Sequence, residues 1–478
     1  QDIVLNPFDF VTVKHVFDTK TVGIVRELRA LDEAGVAARV AIMANTGVGS
    51  KIDGGKKIPI SMPVGANKPV RFATEKEVMF ALGRPEMENP VSAGVIEMTN
   101  GLRVPVSLDI SYLFGPDTAH VNAAGISGNL KTSYLFFLLQ SVYQLAKGDM
   151  AIIIFNTKEE DLLHIDEKRK AKKSTQKMFD LLDLDLEPFD NVTYFLPRGS
   201  DGKPNSAFVP KDAKTYSYQL EDVYDRLDLL FSGTNEDSIS SVLNHIYEAW
   251  PFGHKSKQVR TWTDLLEFRG YPQEIVAHKS TLLHFLGHIQ RFRKSPLFID
   301  QKRRSTYLGK EIGRIKPGDV FVIDIAMIPT VEEQGFVVGD VMKSIDELYA
   351  ARQAADKTPQ HILIFIDEIN RFVPRSAGRM SAVAEQIMRT VITGRSRGTI
   401  LFSAQQFKST VDSALHEGTG MHIMAKLGQS ELATPPYSML DKSTKMNIVR
   451  LNRGELVMVH PAFRYPIKIV FPKAPFKG

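Results

Sequence analysis

The sequence predicts an α/β protein with a parallel core sheet and a separate β-rich amino-terminal region. Three continuous apolar runs, Met150–Phe155, Asp319–Ile328 and His361–Ile369, are separated by segments with helical periodicity. Uninterrupted runs of this length are typical of strands that helices cover on both faces. The first hundred residues instead carry short β-branched runs between clusters of Gly, Pro, Asn and Asp. That pattern is typical of a small barrel or sandwich.

Length and composition set the broad class of the protein. A chain of 478 residues is too long for one ordinary core, so we expect two or three domains. The formal net charge of +5 is compatible with nucleic-acid binding but too small to argue for it. The chain has no cysteine, which excludes disulfides and thiolate metal sites and suits a reducing compartment. Since it shows no membrane-span or signal-peptide pattern, we expect a cytoplasmic protein.

The changing pattern along the chain predicts four parts. We expect an amino-terminal β-rich, barrel-like assembly domain over residues 1–105. The α/β core is predicted over 106–165 and 310–445. Between these two core segments, the helical periodicity of 166–309 predicts an inserted, largely helical subdomain. Residues 446–478 predict carboxy-terminal strands that brace a neighbour or close the sheet.

The stretch HVNAAGISGNLKTS carries most of a phosphate-binding P-loop. The motif reads G-x-x-x-x-G-K-[ST], and Gly125, Lys131 and Thr132 fall on three of its fixed positions. Such a loop aims backbone N–H groups at phosphate oxygens, while the lysine adds positive charge and the hydroxyl holds Mg²⁺. The loop also lies between an apolar strand and an apolar helix, as this motif requires. The predicted nucleotide-binding residues are Gly125, Ile126, Ser127, Gly128, Asn129, Leu130, Lys131, Thr132 and Ser133.

Leu130 departs from the motif, because it occupies the position of the second glycine, and a glycine lies two residues earlier at Gly128. Glycine is favoured where the backbone approaches a phosphate or where φ is positive. We expect the leucine to be tolerated if its backbone is already helical and its side chain faces away from the nucleotide. A second glycine-rich stretch, Asn45–Lys51, is interpreted as a turn, because Ile52 stands where a metal-binding hydroxyl would be needed.

Two acids follow the apolar run HILIFI. Asp367 and Glu368 lie at the predicted carboxyl end of a core strand, which is where open α/β sheets bind ligands. An aspartate there can hold Mg²⁺, and a glutamate can orient and deprotonate an attacking water. A helix cap is the alternative explanation, but it does not account for so apolar a strand ending in two acids. Together with the loop, the pair predicts ATP hydrolysis, with Thr132 and Asp367 as the Mg²⁺ ligands.

The segment TGRSRGTILFSAQQ supplies further candidates. Gln405 ends an apolar strand and is a candidate sensor of the γ-phosphate or of the attacking water. Arg395 and Arg397 precede that strand and are candidates for a guanidinium supplied to a neighbouring subunit, where it would stabilise the transferring phosphoryl group. An ordinary pair of surface arginines is the alternative.

The order of these features resembles the HerA family, which belongs with FtsK-type motors among the RecA-like ATPases. The shared features are the strand, P-loop and helix, the helical insertion, the apolar strand ending in Asp-Glu, and the β-rich amino-terminal domain. Asn156 stands where the family has an aspartate, so no catalytic role is carried over, and Glu159 or Glu160 is a candidate substitute. The residues to which the resemblance does assign site roles are Gly125, Gly128, Lys131, Thr132, Asp367, Glu368, Arg395 and Gln405.

The resemblance implies a homohexameric ring that threads double-stranded DNA. It also implies a nuclease or NADase-type effector as partner and a role in anti-phage defence. We therefore expect an ATP-driven DNA translocase or helicase. An ATP-binding ring scaffold with weak hydrolysis, organising a partner effector enzyme, is the alternative, favoured by Leu130 and Asn156 and opposed by Glu368. A metabolic P-loop kinase is a third possibility, disfavoured by the long insertion.

The loop after the acids adds a candidate DNA interface. Double-stranded DNA needs positive contacts to its phosphates that are indifferent to sequence. Surface or subunit-interface arginines explain the same pattern equally well. The candidate contacts are Arg371, Arg375 and Arg379.

Overall fold

The structure is a computed structural model, and it describes most of the chain. Two features named above fall largely outside the described residues, namely the predicted turn from residue 47 onward and Arg379. The residues not described are 1–3, 16–18, 32–34, 47–63, 66, 116–117, 232–235, 255–256, 269–278, 302–303, 353–357, 376–379 and 478.

Strands and helices alternate through most of the described chain. The strands are β1 (Phe10–Lys14), β2 (Lys20–Leu31), β3 (Gly35–Asn45), β4 (Val70–Phe72), β5 (Pro90–Glu97), β6 (Arg103–Asp109), β7 (Val121–Ala124), β8 (Met150–Asn156), β9 (Val192–Pro197), β10 (Lys214–Tyr216), β11 (Gly253–His254), β12 (Lys257–Gln258), β13 (Val320–Asp324), β14 (His361–Ile366), β15 (Thr399–Gln405), β16 (Met421–Met424), β17 (Glu455–Val459) and β18 (Ile467–Val470). The helices are α1 (Glu75–Ala81), α2 (Ser111–Phe114), α3 (Lys131–Ala146), α4 (Lys173–Leu181), α5 (Leu220–Val223), α6 (Glu236–Glu248), α7 (Trp262–Glu267), α8 (Lys279–Ile289), α9 (Leu308–Ile312), α10 (Val331–Ala350), α11 (Ala382–Arg397), α12 (Ser413–Glu417), α13 (Gln429–Leu432) and α14 (Lys442–Val449).

The chain divides into two units, each made of several segments. The first unit contains Gln1–Lys147, Lys168–Pro188 and Ile400–Pro475. The second unit contains Gly148–Glu167, Phe189–Thr399 and Phe476–Gly478.

The second unit is built on a parallel sheet in the order β10, β9, β13, β8, β14. All seven residues of β8 and all five of β13 are buried, as expected for strands covered on both faces. The register places Asp324 opposite Asn156 and Ile366 opposite Phe155, so β13, β8 and β14 end together. This alignment brings the side chains that follow the three strands to one edge of the sheet.

The interval 166–309, predicted as a largely helical insertion, contributes two strands to this sheet. β9 pairs in parallel with β13, and β10 pairs in parallel with β9. Only the last four residues of β9 are buried, so its sequence lacks the long apolar run that reveals β8 or β14. The helices α6, α7 and α8 do lie in this interval.

The first unit places β7 between two parallel neighbours, β15 and β16. Beyond β16 the strands β17, β18, β5 and β6 continue the sheet with antiparallel pairing. The helix α3 is buried along most of its length, with residues Tyr134 to Tyr143 inaccessible to solvent. A helix this apolar all round must be covered by protein on more than one side.

The amino-terminal strands form an antiparallel sheet in the order β3, β2, β1, β4. The α/β class and the β-rich amino-terminal region are therefore confirmed. β5 and β6 also belong to the predicted amino-terminal part, but β5 pairs with β18 at Val95 and Val470. Among the described residues, none of the helices combines the length and the apolar character needed to cross a bilayer.

Candidate nucleotide site

The predicted P-loop is an exposed turn that connects β7 to α3 in the first unit. The main-chain N–H of Gly125 donates to the Gln406 carbonyl at 3.1 Å, and that of Ile126 donates to the Lys426 carbonyl at 3.1 Å. These two hydrogen bonds fix the start of the turn, while residues 126–128 face solvent. Lys131 is the first residue of α3, as the motif requires.

Leu130 adopts the left-handed conformation, with φ 63° and ψ 26°. The condition for its tolerance, a right-handed helical backbone, is therefore not met at Leu130. A leucine in this region costs roughly 1–2 kcal/mol, since its Cβ crowds the carbonyl oxygen. The left-handed backbone at this position therefore favours glycine, the residue of the motif, and the leucine is strained there.

The two glycines of the loop have distinct roles. A Cβ on Gly125 would lie 2.6 Å from the Cβ of Ala425, so only glycine fits between β7 and β16. Gly128 has φ 80° and would meet no atom within 4 Å. The turn thus surrounds open space at the N-terminus of a 16-residue helix. The N–H groups of a first helical turn and the helix dipole suit such a space for phosphate oxygens.

A pair of amides lies behind the loop, between β7 and β15. Gln405 and Asn122 exchange two hydrogen bonds of 2.8 Å, and Asn122 also donates to the Ser403 hydroxyl at 2.9 Å. Both amide side chains are buried. The sensor role of Gln405 stays a prediction, and it requires this amide pair to open. Asn122 was missed from the sequence, because an isolated asparagine within an apolar strand carries no motif.

In the second unit, Asp367 and Glu368 follow β14 directly and are held by two cations. Lys158 Nζ lies 2.9 Å from Asp367 Oδ2 and 3.3 Å from Glu368 Oε1. The Arg371 guanidinium lies 2.6 Å from Glu368 Oε2. The main-chain N–H of Glu368 donates to Asp367 Oδ1 at 2.8 Å. Each of the four carboxylate oxygens therefore has a donor or a cation beside it.

Lys158 is the main residue of this site that sequence reasoning missed. It lies two residues after β8, the parallel neighbour of β14, so the two strand ends bring it to the acids. Burial lowers its pKa, but the carboxylates of Asp367 and Glu368 outweigh that effect, so the pKa is raised above its usual value. Lys158 is thus an ammonium at neutral pH. The signal in the sequence was a lysine just after a buried strand.

Asn156 occupies the end of β8 and joins the site to β13. Its side-chain amide donates to Asp324 Oδ1 at 2.9 Å and to the Glu159 carbonyl at 2.7 Å. Asp324 also accepts a hydrogen bond from the Ser206 hydroxyl at 2.5 Å. Burial raises the pKa of Asp324, and these hydrogen bonds oppose the rise. Of these two neighbouring strand ends, β13 therefore carries a carboxylate, Asp324, and β8 carries an amide, Asn156.

The candidate arginines lie in different surroundings. Arg395 and Arg397 end α11, and the next carbonyl, that of Gly398, accepts from Ile362 at the amino end of β14. Since Asp367 follows the opposite end of β14, these arginines are separated from the acids by about five residues of strand, roughly 16 Å. This separation keeps them away from the acids of their own chain, and action on the site of another subunit stays a prediction. Arg397 also lies 3.3 Å from Asp346.

The candidate DNA contacts differ in exposure. Arg371 is committed to Glu368 in this structure, so its guanidinium faces the acids. Arg375 is exposed. Contact of either residue with DNA stays a prediction.

Each unit carries one group of residues that suits part of the predicted nucleotide-hydrolysing site. The first unit offers a glycine loop at a helix N-terminus with Lys131 and Thr132, a set of groups that suits phosphate. The second unit offers a carboxylate pair that already accommodates a positive charge beside Asp367, and oxygen ligands are those Mg²⁺ prefers. That both serve one nucleotide stays a prediction.

Comparisons with known proteins give structural similarity only. No protein-family model and no curated protein matches this chain. The bacterial conjugative coupling protein TrwBdeltaN70 is similar with 12% identity, 81% of this chain and 91% of that chain covered, and a TM-score of 0.48. VirB4 of Thermoanaerobacter pseudethanolicus is similar with 14% identity, 81% and 97% covered, and a TM-score of 0.45.

A viral protein gives a shorter match. The genome packaging NTPase B204 from Sulfolobus turreted icosahedral virus 2, in complex with ATP-gammaS, is 12% identical over 34% of this chain and 71% of that chain, with a TM-score of 0.25. At these identities and TM-scores, the three similarities assign no family and no activity to the chain.

Proposed function

We propose that this protein binds ATP with Mg²⁺ and hydrolyses it. The observation that carries the proposal is the pairing of Asp367 and Glu368 at the carboxyl end of the parallel strand β14, buried over its last five residues, together with a cation held between the two acids. In this proposal the loop and Lys131 bind the phosphates, while Thr132 and Asp367 hold the metal. The metal ion would supply positive charge to the transferring phosphoryl group. Glu368 would orient the attacking water and accept its proton.

The test is Mg²⁺-dependent phosphate release by purified protein, with and without duplex DNA. Lys131→Ala should abolish turnover through loss of nucleotide binding. Glu368→Gln should retain ATP binding but lose turnover by about 10²–10⁴-fold, the usual contribution of a general base. Lys147→Ala, at the other end of α3, is the matched control and should behave as wild type. Absence of ATPase activity in wild-type protein under every condition would refute the proposal.

At the finer level we propose a DNA translocase or helicase of the HerA type that works as a cytoplasmic homohexameric ring. Support comes from the motif order and from the placement of Arg395 and Arg397, which suits action on a neighbouring subunit. A nuclease or NADase-type effector in anti-phage defence completes the proposal. The native mass with and without ATP and DNA tests the ring.

An ATP-binding ring scaffold with weak hydrolysis, organising an effector enzyme, is the second candidate. Two observations favour it: the strain at Leu130, and the engagement of both acids by Lys158 and Arg371. Single-turnover hydrolysis separates the candidates. Equal rates for wild type and Glu368→Gln would support the scaffold, whereas a large loss in the variant would support the motor.

A further inference from the structure

We infer that Lys158 is a resident counter-ion of the acid pair, which a divalent metal must displace before Glu368 can act. This inference rests on the proposed role of Asp367 as a metal ligand. It names a positioning residue that belongs to no motif, and it gives the site a metal-dependent switch.

The ammonium of Lys158 lies within 3.3 Å of one oxygen from each acid, and so it occupies the space between the two carboxylates. Asp367 is almost fully buried, with 5% of its side chain exposed. Its other oxygen is already engaged by the main-chain N–H of Glu368. We therefore expect a metal that binds Asp367 to take Oδ2, the oxygen that Lys158 now holds.

Two carboxylates side by side in a poorly solvated place repel each other, and a single cation between them relieves this repulsion. Lys158 supplies that cation in the absence of metal, and Arg371 supplies a second one to Glu368 alone. A divalent ion bound to Asp367 would neutralise the carboxylate in place of Lys158, so the lysine would no longer be needed beside it.

Lys158 reaches the acids from a solvent-facing position, with 43% of its side chain exposed, whereas Asp367 is fixed at the end of a strand. A lysine has four rotatable bonds in a flexible stem. Its ammonium can swing into water while the carboxylates stay in place. Exchange of lysine for metal would then release one of the two cations that hold Glu368.

The test is Mn²⁺ binding to the nucleotide-free protein, followed by the electron paramagnetic resonance signal of free Mn²⁺. Lys158→Met keeps the length of the stem and removes the charge, so it should bind Mn²⁺ more tightly than wild type. Because the pair is half-exposed, we expect a gain of about fivefold, the upper end for such ion pairs. Lys158→Arg keeps the charge and should bind as wild type does. Lys316→Met removes an exposed lysine near the amino end of β13 and controls for net charge.

Equal or weaker Mn²⁺ binding by Lys158→Met overturns the inference, and so does absence of binding in both proteins. The double variant Lys158→Met with Asp367→Asn should lose the gain, because the oxygen that Lys158 vacates is then no longer anionic. A gain that survives in the double variant would place the metal elsewhere and would also overturn the inference. The proposed function fails separately: a protein without ATPase activity could still show the difference in Mn²⁺ binding.

Discussion

Replacing Leu130 by glycine should strengthen the phosphate-binding loop. The leucine holds φ 63° at the N-cap of α3, a conformation that costs an ordinary residue roughly 1–2 kcal/mol. Glycine removes that cost but loses about 0.5–1 kcal/mol of conformational entropy on folding. The net gain of about 0.5–1 kcal/mol corresponds to a roughly two- to fivefold larger population of the ordered loop. ATP affinity should rise by the same factor if the loop must be ordered to bind.

The control is Leu130→Ala, which removes the leucine side chain but keeps the Cβ that causes the strain. The Leu130 side chain lies near Gly454, so both variants lose the same packing. If the backbone causes the strain, the glycine variant should be about 0.5–1 kcal/mol more stable than the alanine variant in thermal unfolding. It should also bind a fluorescent ATP analogue more tightly by about the same free energy. Leu130→Asn should fall between them, since asparagine tolerates this conformation. Equal behaviour of the glycine and alanine variants would refute the reasoning, because the side chain alone would then explain any change.

Three further substitutions test two buried charged groups and one close backbone contact. Lys408 is fully buried beside His422, and burial lowers its pKa to about 7, although Glu431 opposes the shift. Between about pH 7 and pH 10.5, the Lys408 amine is therefore neutral in the folded protein but still protonated in the unfolded chain. Wild-type stability should rise over this range, and Lys408→Met should abolish the slope and stabilise the protein at pH 7 by roughly 2–4 kcal/mol. A denaturant titration at each pH measures both effects, and an unchanged slope would count against the assignment. Gly125→Ala should lower the melting temperature and nucleotide affinity together, because its Cβ would lie 2.6 Å from that of Ala425 and overpacking costs about 1–3 kcal/mol. Arg226→Met should cost about 3–5 kcal/mol by leaving buried Asp340 unpaired, unless the Asp340→Asn change accompanies it. A double variant no more stable than the single one would contradict that explanation.

The sequence predicted those parts of the site that depend on local pattern. β8, β13 and β14 were recognisable because helices cover both faces and leave continuous apolar runs, and the acids were placed correctly at the end of β14. β9 was not recognised, because its apolar residues are too few to form such a run. The contact between Lys158 and Asp367 could not be predicted, since it joins residues 209 positions apart and depends on which strands are neighbours. The left-handed backbone of Leu130 lies in a turn whose first residues, Gly125 and Ile126, donate to carbonyls far along the chain, and such contacts leave no local pattern in the sequence.

Two non-glycine residues of the candidate site, Leu130 and Glu368, share the left-handed conformation. Each stands immediately before a helical segment, α3 in one case and the short 3₁₀ turn Ile369–Arg371 in the other. Glycine at position 368 would remove the strain together with the carboxylate, which Lys158 and Arg371 hold in place. The leucine at position 130 brings no reactive group that would justify its strain. Loop strain of this kind persists only where the surrounding structure imposes it. We therefore expect full ATPase activity with glycine at position 130 and loss of activity with glycine at position 368. Both substitutions relieve the strain of a left-handed backbone, but only the second removes a carboxylate.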